Sequence, residues 1–124
     1  MQSEHVYFKP VALTATKLPL VLSEFGGYSC KLDGHAFNLD KTYGYRTCKT
    51  PQELEEALEE LYRKEILPAI RQGLSAAILT QVSDVEDETN GLVTYDRQVE
   101  KANAQAMAAL ADELYTCYQQ AAEN

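Results

Sequence analysis

The segment Lys17–Cys30, KLPLVLSEFGGYSC, decides how this chain is read. Leu18–Ser23 is a nearly unbroken apolar run that stops at Glu24, Phe25 and the pair Gly26–Gly27. Continuous apolarity, without alternation, is the pattern of a strand covered on both faces, as in a parallel sheet. Glu24 is then either a solvated acid at a strand end or a carboxylate held at the mouth of the sheet. For the second role, the strand behind it and the glycine turn ahead would fix its position. They would also let a ligand approach the backbone closely.

Working outward, Glu4–Phe8 (EHVYF) is a short β-prone run stopped by Pro10. Residues 24–49 contain Gly26, Gly27, Gly34 and Gly44 and show no helical period, so they read as a long loop. From Pro51 the pattern becomes helical. Thr50 is placed to cap it, Pro51 suits the first turn, and Glu53 completes a capping box. Leu54, Leu58, Leu61 and Ile66 share one face, and Glu59–Arg63 and Glu60–Lys64 are favourable pairs on the other. Pro68 is expected to kink or interrupt this helix, and Gly73 to end it. Leu74–Thr80 (LSAAILT) is a second continuous apolar run, whose small residues suggest tight packing. An acidic loop with an Asn90–Gly91 turn follows. Val99, Met107, Leu110, Leu114, Cys117 and Ala121 then mark a last helix. The expected strands are about 4–8, 18–23 and 74–80, and the expected helices about 51–72 and 98–121. Such alternation argues an α/β protein with a parallel sheet, whose ligand site lies at the C-terminal ends of the strands.

The 124 residues suffice for one domain. With 45% hydrophobic and 24% charged residues, the composition is that of a soluble globular protein. The formal net charge of -8 argues against nucleic acid and against an anionic membrane surface, since phosphate binding needs a basic patch. No apolar run approaches the roughly 20 residues of a membrane-spanning helix. The first residues lack a signal-peptide layout. Cys30, Cys48 and Cys117 form no CxxC pair, which favours reduced thiols in a cytoplasmic compartment.

Few side chains carry an obvious chemistry. His5 and His35 are isolated, and no short ligand spacing suggests a metal centre, so neither metal nor cofactor is expected. Asp84, Glu86, Asp87 and Glu88 lack the spacing and glycine of a calcium loop and read as a solvated segment. Ser23 is in no GxSxG elbow, and Cys30 has no partner motif. In the loop GHAFNLDKTYGYR, the residues Phe37, Tyr43, Tyr45 and Arg46 either line a sugar-sized cleft or pack the loop onto its own domain.

LPLVLSEFGG resembles the strand-seven motif of family 2 glycoside hydrolases, the β-galactosidase and β-glucuronidase class. GLSAAILTQVSDVEDETNGLVTYDR resembles that family's eighth strand and the loop after it. The likeness runs from about Glu4 to Lys101. It implies a partial (β/α)8 barrel covering strands six to eight with the last two helices, in a single C-terminal fragment. It also implies a retaining β-glycosidase in which Glu24 is the nucleophile. Tyr7 matches a tyrosine near that nucleophile, its hydroxyl placed to hydrogen-bond the carboxylate. Tyr7, His35, Tyr43 and Gln81 are the candidate substrate contacts.

The departures from the family are as informative. The family's acid/base glutamate follows an asparagine, and no Asn-Glu pair occurs in this chain. A complete barrel needs about 250 residues. Many members place a tryptophan at the end of strand eight, where this chain has Thr80 and Gln81 and contains no Trp. The expected protein is therefore a fragment that does not hydrolyse efficiently alone. Its partners would be a carbohydrate and the missing barrel half, or a second copy of itself through open sheet edges. The rival expectation is a non-catalytic carbohydrate-binding or protein-interaction module.

Overall fold

A computed structural model describes residues 1–7, 9–14, 17–40 and 46–123. The elements in chain order are β1 (Gln2–Val6), β2 (Leu20–Gly26), β3 (Tyr28–Ser29), β4 (Arg46–Thr47), α1 (Pro51–Leu61), α2 (Leu67–Arg71), β5 (Leu74–Thr80) and α3 (Ala104–Ala122). Three strands form one parallel sheet in the order β1-β2-β5, and β3 pairs with β4 in a second, two-stranded sheet.

This architecture corrects the expected barrel portion. Among the described residues no helix separates β1 from β2, so helices do not alternate with strands along the sheet. The helical run before β5 and the helix after it are the two helical bodies, and β3 and β4 stand outside the main sheet. The expected parallel pairing does form, but as an open three-stranded sheet beside a small separate one. The two motifs specified apolar strands. They carried no information about how many strands this chain would join.

The helix expected from Thr50 begins as its sequence dictates. The Thr50 hydroxyl accepts from the Glu53 amide at 3.1 Å, and the Glu53 carboxylate accepts from the Lys49 amide at 2.8 Å. Leu54, Ala57, Leu58 and Leu61 form its buried face. On the exposed face Arg63 meets Glu59 at 2.7 Å and Lys64 meets Glu60 at 2.5 Å. Pro68 does not break the run. A π-helical turn, Tyr62–Ile66, precedes it, and the Leu67 amide reaches the Tyr62 carbonyl. Proline has no amide hydrogen and crowds the carbonyl four residues back. A wider turn immediately upstream absorbs that irregularity, and the helix continues to Arg71.

The last helix starts later than the apolar period suggests, at Ala104 rather than near 98. Asn103 accepts from the Ala106 amide at 3.0 Å and caps it. The preceding residues are held elsewhere: Val93 bridges to Glu100, and the Thr94 and Val99 backbones are hydrogen-bonded.

Two apolar clusters hold these parts together. In one, Leu20, Leu22 and Phe25 of β2 meet Leu61, Ile66 and Ala69 of the helical run. In the other, Leu54, Ala57 and Leu58 pack on Cys30, Cys48 and Ala102, beneath the loops that follow β2 and β5. Full burial of one such Leu or Phe stabilises by roughly 1.5–3 kcal/mol. The Phe25 ring meets the Tyr62 ring edge-on at 5.5 Å. That burial also pushes the Tyr62 hydroxyl up to about 12.

Coverage of the sheet is uneven. In β2, Leu20 and Leu22 are buried while Val21 and Ser23 are only partly so. In β5, Leu74 is buried but Ser75, Ala76, Ala77 and Ile78 are exposed. The small residues there are exposed rather than tightly packed, and among the described residues β5 is an edge strand of the sheet. Among the described residues no helix is long and apolar enough to cross a membrane.

Candidate functional site

Glu24 lies within β2, since the strand runs on past the expected Ser23 to Gly26. Two register irregularities bracket it. Against β1, Glu4 pairs with Leu22 and the next residue, His5, pairs with Glu24. Against β5, the step from Ala77 to Leu79 is matched by Leu22 to Phe25 on β2. An extra residue in one strand bends it locally and re-aims side chains. Here it brings Glu24 opposite His5.

The Tyr7 hydroxyl, just past β1, donates to Glu24 Oε2 at 2.5 Å and lies 3.2 Å from Thr80 Oγ1 at the end of β5. His5 Nδ1 is 3.4 Å from the same Glu24 oxygen. All three strands of the sheet thus contribute to one cluster at its C-terminal end. The cluster is open to solvent, with side-chain exposures of 56% for His5 and 44% for Glu24. Glu24 Oε1 has no hydrogen-bond partner among the described residues. One carboxylate oxygen is anchored and the other is available.

The glycines ahead of Glu24 adopt the turn that the sequence suggested. Gly26 has φ +91° and Gly27 φ +72°, conformations that other residues rarely adopt. A Cβ at Gly26 would lie 2.7 Å from Leu79 Cδ1 on the neighbouring strand. The turn they make returns the chain to β5, where the Gly27 amide donates to the Thr80 carbonyl at 3.1 Å.

The other expected contacts are placed differently. Gln81 directs its amide into its own loop, donating to Asn90 Oδ1 at 2.7 Å and Glu88 Oε2 at 3.2 Å. His35 lies against Asp96, at 2.8 Å from Nδ1 to Oδ2. Tyr43 and Tyr45 lie outside the described residues. Of the aromatic loop, Phe37 packs against Tyr95 at 5.3 Å, and the Arg46 guanidinium sits over the Tyr28 ring at 5.3 Å. These two members of the loop therefore contact their own chain.

His5 and Thr80 escaped the sequence reading as neighbours of Glu24. Strand alternation could place each on a face, but the register shift that aligns them has no sequence signature.

The acidic loop is not uniformly solvated. Asp84 is buried and Lys101 fully so, and they pair at 2.7 Å. Lys101 Nζ also donates to the carbonyls of Cys30 and Thr89, each at 2.9 Å. Asp84 Oδ1 accepts from the Gly91 amide at 2.8 Å. Lys101 thus joins the chain just after β3 to the loop after β5. A buried ammonium needs such partners, because desolvation alone would be prohibitive.

Among the described residues no three His, Cys, Asp or Glu side chains gather as a metal site. The three thiols are free and buried. Burial raises Cys30 and Cys48 above the ordinary thiol range, the first partly offset by Lys101 and the second by Arg46. Neither is an activated nucleophile. The surface grooves along α3, lined by residues such as Leu67, Leu74, Ala77, Leu114 and Tyr118, contain none of the Glu24 cluster. No protein-family model and no curated protein sequence matches this chain.

Proposed function

We propose that Glu24 is the nucleophile of a retaining β-glycosidase, and that this chain works with a second carboxylic acid supplied by a complementing segment. The observation that carries the reading is the Tyr7–Glu24 hydrogen bond, with Thr80 beside it, at the C-terminal end of three parallel strands. Such a bond holds one carboxylate oxygen still, and the other is free to attack. The resemblance of LPLVLSEFGG and of GLSAAILTQVSDVEDETNGLVTYDR to family 2 glycoside hydrolases supplies the reaction class.

In that reaction Glu24 Oε1 forms a bond to the anomeric carbon as the glycosidic C–O bond breaks. The electron pair of that bond goes to the leaving oxygen, which takes a proton from the second acid. Water then attacks the glycosyl ester, giving its proton back to the same group and releasing Glu24. The two carboxyls need to lie about 5–5.5 Å apart. The chain's own chemistry is therefore the covalent half of the reaction, and unaided hydrolysis of ordinary glycosides is inefficient. The three buried free thiols support a reducing, cytoplasmic setting.

A substrate that needs no acid catalysis tests Glu24 directly. A 2,4-dinitrophenyl 2-deoxy-2-fluoro-β-glycoside carries a leaving group that departs unprotonated, so the chain alone should be labelled. Galactosyl, glucuronyl and mannosyl versions would report the sugar. The adduct is expected on Glu24, absent in Glu24→Gln and slower to form in Tyr7→Phe. Labelling of another carboxylate, or no labelling by any of the three reagents, overturns the reading.

A further inference from the structure

The small sheet sets two of the three cysteines against each other. β3 and β4 run parallel, with Tyr28 opposite Arg46 and Ser29 opposite Thr47. The same register, carried one residue further, sets Cys30 opposite Cys48. The ladder reaches that far, since the Cys48 amide donates to the Ser29 carbonyl at 2.7 Å. On the other side of β3 the Cys30 amide donates to the Thr89 carbonyl at 2.8 Å, which anchors the backbone of the pair. Residues opposite each other in a sheet point to the same face, and neighbouring strands lie about 4.8 Å apart. A disulfide spans Cα atoms about 4.4–6.8 Å apart. Both thiols enter one apolar cluster, with Leu54, Ala57 and Leu58 of α1. Burial and, more weakly, the neighbouring Cys48 push the Cys30 thiol up against the pull of Lys101, so each sulfur lies within the field of the other. Cys117 lies elsewhere, its thiol facing the Leu67 carbonyl at 3.7 Å.

The two thiols differ in access. Cys30 is fully enclosed. Cys48 lines a recess of about 200 Å³ between β4 and α1, with Arg46, Thr47, Glu53 and Glu60 among its walls. Burial raises the Cys48 thiol, and the Arg46 guanidinium partly offsets it. An oxidant little larger than water therefore meets Cys48 before Cys30. Raised thiols hold little thiolate, so the attack is slow. The same property makes each a poor leaving group, so a disulfide between them resists exchange once formed.

We infer that Cys30 and Cys48 are a redox pair that a hydroperoxide closes to a disulfide, with Cys48 oxidised first and Cys30 resolving it. The Cys48 thiolate attacks one oxygen of hydrogen peroxide and the O–O bond breaks. The departing hydroxide takes up the proton that the thiol released, leaving water and Cys48 sulfenic acid. The Cys30 sulfur then attacks the Cys48 sulfur and the S–O bond breaks. A second water leaves with the Cys30 proton. Two thiols and one peroxide thus give one disulfide and two waters. The bridge closes residues 31–47 into a loop tied at its root. That segment carries His35 and Phe37, which pair with Asp96 and Tyr95 of the loop after β5. Neither cysteine belongs to the Glu24 cluster, and the pair stands apart from the glycosidase reading.

The test treats the reduced full chain with hydrogen peroxide under native conditions, then alkylates it, digests it and maps the peptides. Expected are a Cys30–Cys48 linkage within one chain, a mass lower by two hydrogens, and Cys117 still alkylated. The denaturation midpoint should move up on oxidation, because the bridge restrains the unfolded chain, and return on reduction with dithiothreitol. In Cys30→Ala nothing resolves the sulfenic acid at Cys48, and dimedone should trap it there. In Cys48→Ala dimedone should leave Cys30 unlabelled. Three thiols that all remain alkylatable, oxidation of Cys117 ahead of the pair, or bridges only between chains would each overturn the redox pair. So would Cys48 sulfinic acid beside an alkylatable Cys30, or dimedone on Cys30 in Cys48→Ala. The peptide map of the native chain decides the matter even where a variant fails to fold.

Discussion

Two carboxylates in this chain lie in loops or strand ends at the same side of the sheet and live under opposite conditions. Asp84 is withdrawn from water and locked to Lys101, with the backbone of three loop residues completing the shell. Glu24 is half-exposed and held through one oxygen by Tyr7. The first arrangement spends the three ammonium donors of Lys101 on holding loops together, and burial keeps both charged groups from a ligand. The second keeps an oxygen available on a strand that cannot easily move. An acid-rich loop looked like the solvated part of this sequence and an acid after an apolar strand like the special part. The comparison teaches that burial decides which carboxylate is structural, and that the half-exposed Glu24 is the one able to meet a ligand.

The largest effect should come from breaking the buried pair. Lys101→Met leaves the Asp84 carboxylate buried without its counter-charge, and a loss of about 3–5 kcal/mol is expected from chemical denaturation. Adding Asp84→Leu to it should recover part of that loss, since two apolar groups need no partners. A double variant less stable than Lys101→Met would break the comparison. Glu24→Gln, by contrast, should leave stability nearly unchanged.

A smaller effect is expected at the glycine turn that mounts Glu24. Gly26→Ala places a side chain at φ +91° and brings Cβ against Leu79. The cost should be about 1–3 kcal/mol, read from the same denaturation curves. Labelling of Glu24 by the fluoroglycoside should slow as well, because the turn sets where the carboxylate stands. Unchanged stability and labelling would show that the glycine is not what positions it.

The smallest effect concerns a third carboxylate, intermediate between the two. Hydrogen bonds from Thr94, then His35 and the Gln98 amide, hold exposed Asp96 down to about 2 from its ordinary 3.8. A depressed folded-state value means that the anchoring is fully present above 3.8 and is lost as pH falls through about 2. The Tyr95 and His35 NMR signals should therefore broaden or shift across that window, while those of the buried Lys101 shell stay in place. Simultaneous loss of both sets would merge the two regions into one unit.

Much of the local structure was legible. Thr50, Pro51 and Glu53 marked a helix start to the residue, because capping is settled within four positions. The Glu59–Arg63 and Glu60–Lys64 pairs were readable for the same reason. Pro68 was expected to kink or interrupt the helix, and a π-helical turn does interrupt the α-helical run just ahead of it, while the chain stays helical to Arg71. Of the candidate site, Glu24 and Tyr7 were placed together through motif likeness. Gln81 and His35 were assigned to the same neighbourhood, but each is committed to a partner in the loop after β5. Such pairings join residues far apart in the chain, and nothing in the local pattern records them.

By itself the sequence determined the elements and their character: apolar parallel strands, a capped amphipathic helix, an alanine-rich final helix, and a carboxylate ahead of two glycines. These follow from forces acting over a few residues. Only the tertiary structure decided the open three-stranded sheet, the exposed edge at β5, the slip in register that sets Glu24 opposite His5, and the burial of Lys101. Each of these depends on which distant surfaces meet and exclude water. That balance of burial against desolvation is a property of the assembled fold and not of any one segment.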